Sequence, residues 1–316
     1  MKSNTKKSGS GRGKRLSGIQ LKRSWQLYLM VLLPLAYLVI FHYVPLYGLQ
    51  IAFKNYRPRA GIWGSQWVGL EQFKHFFGNY KWAQYVKNTL TISLYSILVG
   101  FPVPILLALC LHVNRNETLK KITQNLSYLP HFISVVVMVG ILNQVFSPIS
   151  GVYSWLMGVL GLPVKDLRSD PDAFYHLFVW SGVWQNMGWS TIMYVAALSA
   201  VPQDLHEAAM LDGASRWRRV LSVDLPTITP TICMMLILRV GSIMDVGFDK
   251  AYLMQYPTNL EKSEIISTYV YKNGVAAGEY SYGTAVGLMN SAITLALVLL
   301  VNWITNKLSD NENGLF

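Results

Sequence analysis

The side chains best placed to do something other than pack lie in one polar loop, Val201 to Pro226, set between two long apolar runs. Pro202 suits a first helical position, Asp204 and Glu207 suit the positive end of a helix, and Gly213 supplies the left-handed residue that ends one. The pattern predicts a helix from Gln203 to Leu211, a glycine turn and a second short helix. In that second helix Arg216, Arg218 and Arg219 surround Trp217, the mixture expected where a helix lies along anionic headgroups on a cytoplasmic face. The first helix is then free to meet a partner. Ala208 and Ala209 permit close approach, Glu207 offers a charge-assisted contact, and Asp212 precedes the turn. This is the chemistry of docking.

No bond-making chemistry accompanies it. Gly13-Lys14 resembles a phosphate loop only superficially, because Ser8 and Arg15 occupy key positions and no strand precedes them. H-E-x-x-H, G-x-S-x-G and paired-cysteine motifs are absent, and the six histidines lie on different segments, with His131 and His206 reading as interfacial or loop residues. Cys110 and Cys233 sit inside apolar runs and form no disulfide spacing. The chain is expected to be no enzyme and to hold no metal or cofactor itself.

The elements that must position the loop are membrane spans. Hydrophobic residues make up 52% of the 316 and charged residues 14%, and the charges cluster between apolar runs long enough to cross a bilayer. The net charge of +11 does not point to nucleic acid, because eight of the 27 Lys and Arg fall within residues 1–24, a basic tail with disordered composition. Leu27 to Val44 carries no formal charge, and its Leu, Ile, Val and Phe favour insertion by about 3–7 kcal/mol at most. Residues 25–53 therefore read as a first transmembrane helix and 54–85 as an external interfacial segment rich in Trp and Phe. Residues 86–308 form a core containing the 201–226 loop, and 309–316 a short tail. Within that core, spans are expected over about 90–111, broken by Pro102 and Pro104, then 130–146, 174–200, 227–246 and 282–305. With the first, these make six. Loops then alternate sides, and Arg115, Lys120, Lys121 and the tail place both termini in the cytoplasm. Gly283, Gly287 and Ser291, at four-residue steps, form a stripe that permits close helix approach.

A few polar side chains inside these spans mark a candidate substrate pathway: Asn143, Gln144, Gln185, Asn186, Asn290 and Arg239. Arg239 costs about 2.5–3.5 kcal/mol at a helix centre unless it faces protein or water, so it serves either as a structural partner or as a substrate contact. Trp180, Trp184 and Trp189 admit two roles, packing or lipid contact on one hand and stacking on a sugar face on the other.

Glu207-Ala208-Ala209, Asp212-Gly213-Ala214 and Leu225-Pro226 resemble the EAA loop of ATP-binding-cassette importer permeases. Tyr128 to Ser134, Asp245 to Phe248 and Tyr280 to Tyr282 are similar to the Lpl-type branch of the maltose-type permeases. The resemblance runs from Trp25 to Phe316. It implies an all-α, six-helix fold of the MetI-like type I importer class in a bacterial plasma membrane. It also implies docking of the EAA loop on an ATPase dimer that holds ATP and Mg, a second homologous permease, an extracellular solute-binding protein, surrounding lipid and a sugar substrate. Two alternatives stand beside it. A secondary transporter would need intramembrane carboxylates, yet no Asp or Glu lies deep in a span and Asp245 is near an end; a membrane scaffold would need a signalling domain.

Overall fold

The structure, a computed structural model, describes residues 25–308; the basic tail at 1–24 and the tail at 309–316 lie outside the described residues. The chain divides into two units, one ending at Gln50 and the other beginning at Ile51. Helix α1, Trp25–Phe53, widens into a π turn over Val39–Tyr43. The cause lies just downstream. Pro45 has no N–H to donate and its ring crowds the carbonyl one turn back, so the backbone opens there.

The second unit starts with a two-stranded hairpin, β1 (Lys54–Asn55) and β2 (Gln66–Trp67), pairing antiparallel with Lys54 opposite Trp67. Strands this short leave no alternation to read in the sequence. The segment also holds α2 (Gly61–Gly64) and α3 (Glu71–Gly78). Lys54 closes the hairpin by donating from Nζ to the Ile62 carbonyl at 2.7 Å, and the Phe53 and Trp67 rings stack at 5.6 Å.

Helices α4 (Trp82–Gly100) and α5 (Pro102–Val113) form one continuous span, begun eight residues before Leu90 because Trp82 and Tyr85 pack rather than float at the interface. Next, α6 (Glu117–Tyr128) runs through a 3-10 turn at Leu129–Phe132 and meets α7 (Val135–Val145) at a 104° bend. Ser134 caps α7, accepting from the Val137 N–H at 3.3 Å, which makes the bend a true helix start. The expected external loop holds a further helix, α8 (Val152–Val159). Helix α9 (Pro171–Ser199) opens on a Pro at its first position behind an Asp170 cap that accepts from the Asp172 N–H at 2.8 Å.

The organising loop follows as α10 (Gln203–Leu211), then α11 (Arg216–Arg219), a π turn at Val220–Asp224 and α12 (Leu225–Gly241). The fifth span thus ends at Gly241 rather than Val246, with turns at Ser242 to Met244. The late loop folds into α13 (Phe248–Leu253), α14 (Leu260–Ser263) and α15 (Ile266–Val270), and α16 (Tyr280–Leu308) ends the described chain.

Helix α9 is the post around which this unit is built. Phe174, Phe178, Val179 and Val183 pack with Ile92, Val139, Ala251 and Ile265, while Tyr194 and Leu198 pack with Ala108, Leu109 and Ile228. A Cβ on Gly188 would sit 2.1 Å from the Ser127 carbonyl oxygen, so α9 and α6 meet backbone to backbone. A third cluster joins Phe76, Tyr85, Ile266, Tyr269, Tyr282 and Val286. Polar side chains pin the late loop to α4: Asn88 donates to the carbonyls of Glu261 and Glu264 at 2.9 Å, and Thr89 accepts from the Ile266 N–H at 3.0 Å. Of the small-residue stripe on α16, Gly283 meets Gly274 with no room for a Cβ, whereas Gly287 has open space beside it.

Among the described residues four helices are long and apolar enough to cross a membrane, or five if the bent α6–α7 pair is one span. Helix α9 has 29 residues, about 43 Å at 1.5 Å per residue, but is not apolar enough to join them, since Ser, Gln, Asn and His residues interrupt its apolar sequence.

Candidate functional site

Two regions carry the candidate residues. At the first, Pro202 is the residue before the helix rather than its first member, with ψ at 133°. The C-terminus of α10 is closed by a paired turn in which the Ala214 N–H donates to Ala209 at 2.9 Å and the Gly213 N–H to Met210 at 3.0 Å. Gly213 has φ at +74°, a conformation that costs other residues about 1–2 kcal/mol. Glu207, Ala208 and Asp212 are exposed and Ala209 half-buried, with Leu205, Met210 and Leu211 exposed beside them. Ser215 then caps α11, accepting from the Arg218 N–H at 3.4 Å. The outward face of α10 is free and mixed in character. Its inward face is held by His206, whose Nε2 lies 3.1 Å from Oδ1 of the buried Asp224. That tether was not foreseen, because 18 residues separate the partners and neither stands in a recognisable pattern.

The second region is a cavity of about 500 Å³ between α4, α5, α9, α12 and α13, within the range of small-molecule sites. Of the sequence-predicted pathway it gathers Gln185, Asn186 and Arg239, and adds Ser190, Asp245 and Lys250. Gln185 donates to the Ile133 carbonyl at 2.8 Å, and Asn186 pairs with His131 Nδ1 at 3.0 Å while donating to Gly182. Arg239 is exposed to the cavity and forms no ion pair among the described residues. Lys250 is buried; its Nζ donates to the Phe178 carbonyl at 2.8 Å and sits 4.7 Å from that ring's centre. Burial pulls its ammonium down to about 8. A lone lysine in the late loop gave no sign of this in sequence; only its apolar neighbours Phe248, Ala251 and Tyr252 hinted at burial.

The other predicted residues lie elsewhere. Asn143 accepts from the Tyr256 hydroxyl at 3.2 Å in a separate small pocket, where Arg168 pairs with Asp166 and holds that carboxylate below its usual range. Gln144 is exposed one residue further along, since adjacent residues of a helix point about 100° apart. Trp184 and Trp189 are half-exposed and off the cavity wall, Trp189 stacking on His131 at 4.5 Å. Asn290, on α16, is also away from it, and its buried Oδ1 accepts no hydrogen bond among the described residues.

The described residues thus set an exposed helix of mixed character at one place and a polar cavity among apolar helices at another. Residues 100–310 match the family described as binding-protein-dependent transport system inner membrane component. The chain belongs to that family. It is the membrane permease of an ATP-binding-cassette importer, a translocation subunit, with ATP hydrolysis carried by separate subunits. The secondary-transporter and scaffold alternatives fall away. Protein LplB of Bacillus subtilis (strain 168) is 41% identical over 94% of this chain and 92% of its own length. The polygalacturonan/rhamnogalacturonan transport system permease protein YteP of the same organism is 39% identical over 94% and 92%. Among solved structures, a bacterial alginate ABC transporter in complex with alginate pentasaccharide-bound periplasmic protein superposes with a TM-score of 0.86 at 35% identity, covering 95% of this chain and 100% of that one.

Proposed function

We propose that this permease imports acidic oligosaccharides, and that it does so as one of two similar permease subunits joined to an ATPase dimer and served by an extracellular solute-binding protein. The observation that carries the reading is the cavity itself, where Arg239 and Lys250 outnumber the single Asp245 and amide and hydroxyl groups surround them. A guanidinium grips a carboxylate through two parallel hydrogen bonds, and an ammonium in a poorly solvated site attracts an anion more strongly than it would in water. Uronate sugars offer both the carboxylate and the hydroxyls such a wall would bind. Kinship with a permease named for polygalacturonan and rhamnogalacturonan, and with an alginate transporter, supports the same class. Helix α10 seats in the ATPase groove with Glu207 as its charged contact and Ala208 and Ala209 at the closest approach, both termini being cytoplasmic. Closure of the ATPase pair then shifts the cavity between outward and inward exposure, a two-state switch.

The test is reconstitution of the complete transporter in lipid, with ATP hydrolysis measured against uronate oligosaccharides and neutral oligosaccharides of equal length. Uronates should stimulate, and Arg239→Gln and Lys250→Met should each lower that stimulation while leaving assembly intact. Equal stimulation by the neutral series, unchanged in both variants, would remove the acidic-substrate reading.

A further inference from the structure

Three metal-ligating side chains from three separate elements converge beneath α10. His112 comes from the last turn of α5, His206 from α10 and Asp224 from the π turn that opens α12. One donor atom from each falls within 4.8 Å of the other two. The Nε2 atoms of His206 and His112 stand 3.1 and 3.5 Å from Asp224 Oδ1. Donors bound at about 2.0–2.2 Å in a tetrahedral zinc site lie roughly 3.3 Å from one another. The two histidine–carboxylate edges match that shell, and the edge between the histidines is no longer than 4.8 Å.

The carboxylate is the second argument. Asp224 is 2% exposed, and its Oδ1 accepts no hydrogen bond among the described residues although two imidazole nitrogens stand within 3.5 Å of it. A buried carboxylate needs a cation or several donors to offset its lost hydration. Two nitrogens and one oxygen gathered within 4.8 Å, with no hydrogen bond formed to Oδ1, have the donor set and proximity that a bound cation requires. His206 and His112 side chains are 19% and 31% exposed, which leaves both imidazoles within reach of an entering ion.

We propose that His112, His206 and Asp224 bind a divalent transition-metal ion of the zinc class through Nε2, Nε2 and Oδ1, with water in the fourth position. The ion ties the end of α5, α10 and the start of α12 together, and so fixes the angle at which α10 leaves the bundle. Its effect on ATP hydrolysis rests on the proposed docking of α10; its binding does not.

The test uses the complete transporter, stripped with chelator, loaded with zinc, desalted and assayed for metal content. Wild type should retain one more zinc per chain of this permease than His206→Gln or His112→Gln. Loss of either ligand should weaken zinc binding by more than about 100-fold, beyond the 10–100-fold an outer-shell partner commands. Cobalt loading should give the visible band of a low-symmetry four-coordinate ion in wild type alone. Asp224 is buried, so the histidine variants carry the test, with subunit copurification as the check on folding. Loss of zinc with unchanged hydrolysis would still uphold the site while detaching it from coupling. Equal zinc content in wild type and both histidine variants would overturn the proposal and leave the three residues as a histidine–carboxylate contact.

Discussion

The α10 loop and the cavity differ in how each is assembled from the sequence. The loop is local: its helix, its glycine turn and its second helix follow one another within 17 residues, Gln203 to Arg219, and each is signalled by residues inside that stretch. The cavity is non-local, drawing its polar lining from positions 96 to 250, on four helices and the turn that follows α12. A surface fixed by local signals tolerates change in its neighbours, whereas a cavity fixed by packing depends on contacts that no single segment announces.

Two glycines break that comparison most sharply. Gly188 holds α9 against the backbone of Ser127, and Gly188→Ala should cost more than about 3 kcal/mol because a backbone carbonyl cannot yield as a side chain can. The complex should then fail to assemble, as seen by loss of partner copurification. Gly213 has nothing within 4 Å of where a Cβ would sit, so Gly213→Val costs only the strain of its positive φ, increased by the β-branch. Insertion and pairing should survive while substrate-stimulated hydrolysis falls. If Gly188→Ala assembles normally, α9 is not the post described here.

Glu207→Ala sharpens the same contrast from the docking side. Truncating one charged hydrogen bond at an interface typically costs about 1.5–3 kcal/mol, so ATPase copurification should weaken by roughly 10-fold or more with no change in thermal stability of the permease. A loss of stability would show that Glu207 supports the fold instead.

How far each region was legible follows from the same distinction. Gly213 announced its turn because few residues tolerate positive φ, and the α10 bounds followed from Pro202 and that glycine. Arg239 was legible as a charge with no cheap place in lipid. Lys250 was not, because it lies in a loop where lysine is ordinary, and only packing against Phe178 buries it. The tryptophans left two roles open, because aromatic rings at helical spacing imply a stripe but not which side of the helix the cavity takes.

A smaller effect comes from proton binding at Lys250, the cation of the cavity that sequence did not mark. Its ammonium is lowered to about 8 by burial, against 10.5 in its ordinary state. Between those values the unfolded chain holds a proton that the folded chain has lost, so stability should rise with pH across that window. The cavity, however, loses a positive charge as pH passes about 8, and uronate stimulation should decline there. In Lys250→Met the decline should vanish, leaving a flat profile at reduced stimulation; a decline that persists would assign it to another group.

The smallest effect is expected at Trp184, and it tests where the cavity wall ends. Trp184 is 44% exposed and does not line the cavity, although Gln185 beside it does. Trp184→Ala removes no ring that faces the cavity and opens none of the packed clusters around α9. Changes of this kind usually stay within about 0.5 kcal/mol, about twofold in an equilibrium constant, so substrate-stimulated hydrolysis and its half-saturating oligosaccharide concentration should both move by no more than that. Trp184→Phe should be indistinguishable from wild type. The outcome separates the two roles the sequence left open, since a ring that stacks on a sugar would raise the half-saturating concentration well beyond twofold when removed and recover part of the loss as Phe. Such a pattern would mean that the helix turns a different face to the substrate when the transporter is assembled, and the wall drawn through Gln185 and Arg239 would have to be extended to include it.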